Sequence, residues 1–303
     1  MKQIFHSNGK LLLTGEYVVL DGAMALAIPT KMGQSLKVEN ISEKVIQWKS
    51  LDLHGNIWFE TVFSLDIFQK ENIQENSQNK VRDTLIKLLR EAKKLNPVFL
   101  NDLQGFKITT NLEFPRNWGL GTSSTLINNI AQWAQVDAFK LLRTGFGGSG
   151  YDIAAAQNDK PIFFNNPLEP QIRHVHLDWD FKDQLFFVYL NKKQDSKKAI
   201  AHYKKKEIDQ KTIDRISDIS KKLLMCYTLS DFEKLMNAHE ALISEILKMP
   251  PLKESAFKDF NGTVKSLGAW GGDFILATGT DGKMDYFRRK GYNTIVPFEK
   301  MMK

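Results

Sequence analysis

The sequence predicts an α+β fold built from two domains. Strand and helix patterns alternate irregularly along the 303 residues, unlike the regular repeat of a doubly wound parallel sheet. Strand-like alternation recurs through much of the first half, whereas three consecutive helical patterns occupy much of the second half. Pro161, Pro167 and Pro170 interrupt regular structure, so we predict an N-terminal domain over 1–170 and a C-terminal domain over 171–303.

Composition indicates a globular protein with a sizeable core. Hydrophobic residues make up 42% of the chain and charged residues 25%, which argues against disorder. No apolar run reaches the roughly 18 residues that a membrane span needs, and the N-terminus lacks a signal-peptide pattern. We therefore expect a cytoplasmic protein. Cys226 is the single cysteine, which excludes an intrachain disulfide and a cysteine-based zinc site.

The net charge of +7 raises the question of an acidic partner. The dense basic cluster is 192–206, which can be a solvated loop and helix face or can attract a phosphorylated substrate. No aromatic residues are interleaved in a stacking pattern, so nucleic-acid binding is disfavoured.

The elements of the first half follow from hydrophobic periodicity. Apolar runs separated by glycine turns fill 10–28. Alternating residues predict strands near 34–40, 44–50, 56–64 and 105–112. Apolar residues at helical spacing predict helices over 80–95 and 126–142, and a short helix over 151–157.

The second half is predicted in the same way. A strand at 185–190 precedes helices near 209–226, 230–248 and 253–266, then a strand at 273–278. Asp281 is predicted to cap a last helix that ends at Arg289, and 293–297 is predicted as a final strand.

Three glycine-rich turns suggest phosphate binding. They lie at 8–17, 115–126 and 265–273. Backbone N–H groups approach a phosphate closely only where no side chain intervenes, and a following helix directs its positive dipole end at the anion. Gly119-Leu-Gly-Thr-Ser-Ser124, followed by a predicted helix, meets both conditions. The alternative is a capped helix after a loose turn.

Standard nucleotide and hydrolase motifs are missing or misplaced. The chain has no GxxxxGK[ST], HExxH or GxSxG pattern. A formal GxGxxG over 145–150 follows a predicted helix, whereas a dinucleotide site requires a strand there. His174 and His176, two residues apart, are interpreted as one strand face rather than as metal ligands.

Taken together, the three turns resemble the motifs of the GHMP kinases, the superfamily of galactokinase, homoserine kinase, mevalonate kinase and phosphomevalonate kinase. The segment 8–20, NGKLLLTGEYVVL, resembles the first motif. The segment 115–125, PRNWGLGTSST, resembles the second motif, and 265–278 resembles the third.

This resemblance implies a two-domain fold, with an N-terminal α+β unit shared with a ribosomal-protein domain and a ferredoxin-like C-terminal domain. ATP with Mg²⁺ and a small acidic substrate would bind between them. Gly15-Glu16-Tyr17, Gly271-Gly272-Asp273 and Gly148–Asp152 are closest to phosphomevalonate kinases.

The resemblance also implies catalytic roles. Asp152 matches the aspartate that accepts the proton of the acceptor hydroxyl or orients that hydroxyl; the alternative is an N-cap. Lys10 matches the active-site lysine, which would keep Asp152 ionised and neutralise charge on the transferred phosphoryl group; the alternative is a surface lysine.

Binding residues follow by the same correspondence. The residues implied to cradle the ATP phosphates are Gly119, Leu120, Gly121, Thr122, Ser123 and Ser124, with Ser123 also implied as the Mg²⁺ ligand. The residues implied on the substrate side are Glu16, Tyr17, Ser196, Lys197, Gly271 and Gly272. An exposed turn carboxylate is the alternative for Glu16.

Several positions depart from the family pattern. Leu141 stands where a glutamate often ligates Mg²⁺, and Asp137 is a candidate replacement. Asn8 replaces a proline, Trp270 replaces a glycine, and Thr125 replaces a small alanine. We expect Trp270 to narrow the acceptor pocket or to close over substrate.

The favoured hypothesis is an ATP- and Mg²⁺-dependent kinase of a small acidic metabolite of the mevalonate or phosphomevalonate type. The alternatives are a decarboxylase similar to mevalonate-diphosphate decarboxylase and a non-catalytic nucleotide- or metabolite-binding protein on the same fold. Neither nucleic acid nor membrane is an expected partner, and a homodimer is left open.

Overall fold

A computed structural model of the chain describes residues 2–68, 79–101, 104–166, 168–194 and 196–303, and for Ser196 and Lys197 it describes the backbone alone. The chain forms two compact units. The first unit comprises Met1–Gly9, Met32–Arg116 and Gly121–Gln157. The second unit comprises Lys10–Lys31, Asn117–Leu120 and Asn158–Lys303. Both units are assembled from separate chain segments, and the boundary at residue 170 remains a prediction.

The regular elements confirm the α+β class. The strands are β1 (Lys2–Thr14), β2 (Ala25–Ile41), β3 (Val45–Leu51), β4 (Ile57–Ser64), β5 (Gly105–Leu112), β6 (Ile162–Asn165), β7 (Gln171–His174), β8 (Leu185–Tyr189), β9 (Val264–Ser266), β10 (Phe274–Thr278) and β11 (Ile295–Pro297). The helices are α1 (Lys80–Leu95), α2 (Thr122–Ala134), α3 (Ala138–Gly145), α4 (Tyr151–Ala156), α5 (Ser196–Tyr203), α6 (Gln210–Leu223), α7 (Leu229–Leu247), α8 (Leu252–Ser255), α9 (Asp285–Arg289) and α10 (Phe298–Met301). Within the described ranges, no helix is both long and apolar enough to cross a bilayer.

The first unit packs helices α1 to α4 with a sheet. Strand β3 pairs antiparallel with β4 and parallel with β5, and β5 pairs antiparallel with Gln34–Ile41 of β2. Helix α1 begins at Asn79, whose side chain accepts hydrogen bonds from the Val81 and Arg82 amides. Its buried face, Leu85, Ile86, Leu88, Leu89 and Ala92, joins a core that also holds residues of α2 and α3.

The second unit contains two sets of paired strands. Ala25–Ala27 of β2 pairs with β6, and β6 pairs with β7, all antiparallel. A separate sheet has the antiparallel order β11-β8-β10-β9. Strands β8 and β10 are buried along their whole length, and β10 follows the third glycine-rich turn directly.

Two helix predictions were wrong. The helix predicted over 126–142 is two helices, because Gln135 adopts a left-handed conformation (φ 55°) and Asp137 caps the start of α3. Of the helix predicted over 253–266, only α8, which ends at Ser255, is present, and Val264–Ser266 instead form a strand that pairs with β10. Asp281 also fails as the predicted N-cap, since it lies inside a 3₁₀ turn that begins after Thr280.

Candidate active site

The phosphate-loop candidate has the backbone that the sequence predicts for a close approach to an anion. Gly119 and Gly121 have positive φ values of 70° and 95°. Gly121 is the N-cap of α2, and the first intrahelical bond runs from the Thr125 amide to the Gly121 carbonyl (2.9 Å). The amides of 122–124 therefore precede the first intrahelical bond, which is the usual arrangement of an anion site.

The hydroxyls of this loop face different ways. The side chain of Ser124 is buried and donates to the Gly121 carbonyl (3.0 Å). Thr125 is also buried, and its single hydroxyl proton is shared between Gln34 Oε1 and Gly121 O (2.7 and 2.9 Å). Ser123 is exposed and Thr122 is half-buried. Of these four hydroxyls, that of Ser123 is the most accessible to a ligand.

Lys10, in strand β1, lies against residues 119–120 of the phosphate loop. Its Nζ donates to the Gly119 carbonyl (2.9 Å), and its backbone amide donates to the Leu120 carbonyl (3.0 Å). The side chain is half-buried rather than extended into solvent. Residues of the first and second glycine-rich turns, far apart in sequence, thus meet at two hydrogen bonds.

Asp273 is a residue at this site that sequence reasoning missed. A Cβ added to Gly119 would lie 2.7 Å from its Cγ, so the carboxyl lies against the phosphate loop. The Gln194 amide donates to its Oδ1 (3.2 Å), and the residue has a left-handed φ of 52°. Burial raises the pKa of Asp273, while the Gln194 amide, Lys10 and Lys193 act in the opposite direction.

Glu16 lies in a buried ion pair. Its carboxylate is 2.6 Å from the Lys265 ammonium, which also donates to the Ser266 carbonyl (2.8 Å) and lies 3.5 Å from Glu240. The alternative of an exposed turn carboxylate is wrong, because Glu16 is only 1% exposed. Its predicted contact with substrate stays a prediction.

Burial sets the protonation of this cluster. Desolvation raises the pKa of Glu16 to about 7, against the lowering effect of Lys265. Burial, and then the Lys265 charge, lowers the pKa of His239 well below its usual value, so this ring is neutral. Its Nε2 accepts a hydrogen bond from the Gly15 amide (2.9 Å), which places the proton on Nδ1.

Tyr17 and Trp270 pack together in the second unit. The Trp270 amide donates to the Tyr17 hydroxyl (3.1 Å), and the Tyr17 ring stacks on Tyr203 at 5.4 Å. Trp270 is 5% exposed and belongs to a hydrophobic cluster with Leu242 and Ile243. Its indole Nε1 has no hydrogen-bond partner among the described residues. Trp270 is thus a core residue in this structure, and its place at the acceptor pocket stays a prediction.

The remaining substrate-side glycines lie in a tight loop. Gly271 has a φ of 87°, and a Cβ on Gly272 would lie 2.5 Å from Gln194 Cγ. Ser196 and Lys197 open helix α5. Their side chains, on which the substrate prediction depends, lie outside the described residues.

Asp152 lies in the first turn of α4. The N-cap of that helix is Gly150, so the alternative that Asp152 is the cap is wrong. Its Oδ1 accepts from the Ile153 amide (3.1 Å), and the side chain is half-buried. The glycines before it, Gly147, Gly148 and Gly150, have positive φ values, which accounts for the glycine-rich turn without a nucleotide.

The candidate replacement for the missing magnesium ligand has another role. Asp137 Oδ1 accepts from the Phe139 and Lys140 amides (2.7 and 3.1 Å) and caps α3. Leu141 is fully buried. In the part of the chain that the structure describes, no group of three or more His, Cys, Asp or Glu side chains could hold a metal.

Comparison with solved structures identifies proteins that have the same fold as this chain. A mevalonate kinase from Methanococcus jannaschii superposes with a TM-score of 0.72 at 17% identity, covering 97% of each chain. The chain has the GHMP kinase fold. A Streptococcus pneumoniae phosphomevalonate kinase in complex with phosphomevalonate and AMPPNP gives 0.68 at 16% identity over 95% of each chain.

A more distant neighbour has a different acceptor. Lactococcus lactis galactokinase complexed with galactose has a TM-score of 0.64 at 15% identity, covering 95% of this chain and 88% of its own. No family model matches the sequence, and no curated protein sequence is similar to it. The GHMP fold, which we predicted from three short motifs, is thus confirmed by structural similarity.

Proposed function

We propose that this protein is an ATP-dependent kinase of a small acidic metabolite, of the mevalonate or phosphomevalonate type. The observation that carries the proposal is the pair of hydrogen bonds from Lys10 to the Gly119 and Leu120 carbonyls. They bring a cation to a glycine- and hydroxyl-rich loop that opens a helix. The GHMP kinase fold of the chain supports the same chemistry.

In this proposal the loop 119–124 holds the ATP phosphates by backbone amides and the dipole of α2. The Lys10 ammonium neutralises negative charge that spreads over the transferred phosphoryl oxygens. Asp152 accepts the proton of the acceptor hydroxyl while the oxygen of that hydroxyl forms a bond to the γ-phosphorus of ATP. The bond from that phosphorus to the bridging oxygen breaks, and ADP leaves with the electron pair.

Mg²⁺ fits this loop as an ion held largely by ATP. Magnesium sites in kinases commonly combine one or two protein ligands with substrate phosphates and water. The exposed Ser123 hydroxyl at the start of α2 is the protein ligand we propose. When bound, the ion would supply further neutralisation of phosphate charge.

The acidic acceptor is the finer part of the proposal. Two structurally similar proteins are a mevalonate kinase and a phosphomevalonate kinase, the second in complex with phosphomevalonate. The net charge of +7 favours an anionic substrate through long-range attraction. Galactokinase shares the fold, so the fold by itself leaves a neutral sugar as the competing acceptor.

ADP formation against a panel of acceptors tests the proposal. The panel contains mevalonate, phosphomevalonate, mevalonate diphosphate, homoserine and galactose. Turnover with one of the first two supports the proposal, and Asp152→Asn should lower kcat by about 10²–10⁴-fold, as loss of a general base does. Carbon dioxide release from mevalonate diphosphate would favour the decarboxylase. ATP binding without ADP formation for any acceptor would favour the non-catalytic binder.

A further inference from the structure

A continuous chain of hydrogen bonds runs through the interior of the first unit. Gln157 Nε2 donates to Asn128 Oδ1 (2.9 Å), and Asn128 Nδ2 donates to Ser7 Oγ (2.8 Å). Ser7 Oγ donates to Asn129 Oδ1 (2.7 Å), and Asn129 Nδ2 donates to the Gln34 carbonyl (2.8 Å). Each group donates to the next, so the four bonds share one direction.

The chain of hydrogen bonds continues to the phosphate loop. The Gln34 side-chain oxygen accepts from Thr125 Oγ1, which also lies 2.9 Å from the carbonyl of Gly121, the N-cap of α2. At the other end, Gln157 is the C-cap of α4, the helix that carries Asp152. The polar chain therefore joins the proposed base's helix to the loop proposed to hold ATP.

Polar side chains at these buried positions lower the stability of the fold unless each of them has a hydrogen-bond partner. Asn128 and Asn129 are 1% and 0% exposed within a helix, where asparagine is a poor former and a buried amide requires partners. Ser7 and Gln34 are each 1% exposed. An aliphatic core would be simpler to fold. Directional bonds, however, fix relative position more sharply than apolar contacts do, and a fully satisfied network rigidifies its surroundings.

We propose that Gln157 and Asn128 are positioning residues, which hold helix α4, and with it Asp152, at a set distance from the phosphate loop. The inference rests on the proposed function for its catalytic meaning. The structural part of the inference, that this series of hydrogen bonds immobilises α4, depends on the hydrogen bonds alone. Neither side chain is assigned a contact with substrate.

Gln157→Met is the decisive variant. Gln157 is exposed, so the substitution removes one donor without opening the core. The matched control is Gln132→Met, since Gln132 is an exposed glutamine on α2 whose amide donates to the His6 carbonyl at 3.4 Å, outside the chain. Gln157→Lys, which restores a donor on a flexible side chain, is the rescue variant.

Two readouts separate this inference from the proposed function. Hydrogen exchange of the amides in 153–157 should accelerate at least threefold in Gln157→Met, but not in Gln132→Met. With the acceptor found in the panel, kcat should fall about tenfold while the KM for ATP stays within twofold, and Gln157→Lys should recover part of the loss.

Unchanged exchange in 153–157 would overturn the inference, as would accelerated exchange with an unchanged kcat. An equal fall in kcat for Gln132→Met would also overturn it. If the wild type phosphorylates no acceptor, the proposed function fails. The exchange result then still decides whether the polar chain holds α4.

Discussion

The Lys265 ammonium and the Glu16 carboxylate lie 2.6 Å apart at a site where neither side chain is more than 1% exposed. The pair joins strand β9 to the turn after β1, so it ties the first glycine-rich segment to the third. A buried pair contributes little over an apolar substitute, but removing one partner leaves an uncompensated charge. Substitution of one partner alone should therefore cause a measurable loss of stability.

Lys265→Met should therefore destabilise the protein by about 3–5 kcal/mol at pH 8, the usual cost of breaking a buried pair from one side. Urea denaturation measures it. Lys221→Met is the control, because Lys221 and Asp218 form a surface pair with both side chains more than half exposed. Its loss should cost at most about 1 kcal/mol. Equal losses of stability in the two variants would mean that breaking the buried pair costs no more than breaking a surface pair.

The stability of the Glu16 site should depend on pH near neutrality. The pKa of Glu16 is about 7 in the folded protein, above the usual 4.5. Between these values the folded state keeps a proton that the unfolded state has lost. Glu16 therefore contributes stability that is fully present below about pH 4.5 and is lost as pH rises through about 7.

The free energy of unfolding, compared between wild type and Glu16→Gln, isolates this effect. The wild type should lose on the order of 3 kcal/mol relative to the variant between pH 4.5 and 8. Glu240, whose pKa burial also raises, contributes in the same direction. Because its charge acts on Glu16, the same comparison is made in a Glu240→Gln background. A difference that does not change with pH would contradict the assigned protonation.

Gly119→Ala should weaken ATP binding. The new Cβ would lie 2.7 Å from Asp273 Cγ, and the φ of 70° is strained for alanine. The loop must then shift, and we expect at least a tenfold weaker Kd for a non-hydrolysable ATP analogue by calorimetry. Gly147→Ala is a close control, with a φ of 71° and no atom within 4 Å of its Cβ. A similar loss of affinity in both variants would contradict a specific role of Gly119 in nucleotide binding.

Asp137→Asn should leave phosphoryl transfer and its Mg²⁺ dependence within twofold of wild type. The Asp137 carboxylate accepts two amide hydrogen bonds at the start of α3, and asparagine caps a helix equally well. The Mg²⁺ concentration for half-maximal rate is the measurement. A tenfold increase would show that Asp137 does replace the glutamate missing at Leu141.

Sequence patterns predicted the elements whose signals are local. Helix α1 has an amphipathic face and an asparagine cap, and its predicted bounds match the structure. The prediction over 126–142 failed because apolar periodicity continues through Gln135, although the backbone there turns left-handed. Strand β9 was predicted as helix because its three residues gain their conformation from pairing with β10.

The sequence predicted those site residues that lie within short, contiguous motifs. Lys10 and the loop at Gly119 were both named from sequence, and the structure brings them together. Lys265 and Asp273 lie inside the third motif, yet nothing in their spacing indicates their partners. Their roles depend on long-range burial beside Glu16 and Gly119, which only the folded chain reveals.

Direct detection of phosphoryl transfer tests the central claim. Wild type is incubated with ATP, Mg²⁺ and either mevalonate or phosphomevalonate, and the products are followed by ³¹P NMR. We expect ADP and one new acceptor phosphate to appear in equal amounts, with Asp152→Asn lowering the rate by about 10²–10⁴-fold. Absence of a new acceptor phosphate with both compounds, in a protein that binds ATP, would contradict the assignment of this chain as a kinase of that substrate type.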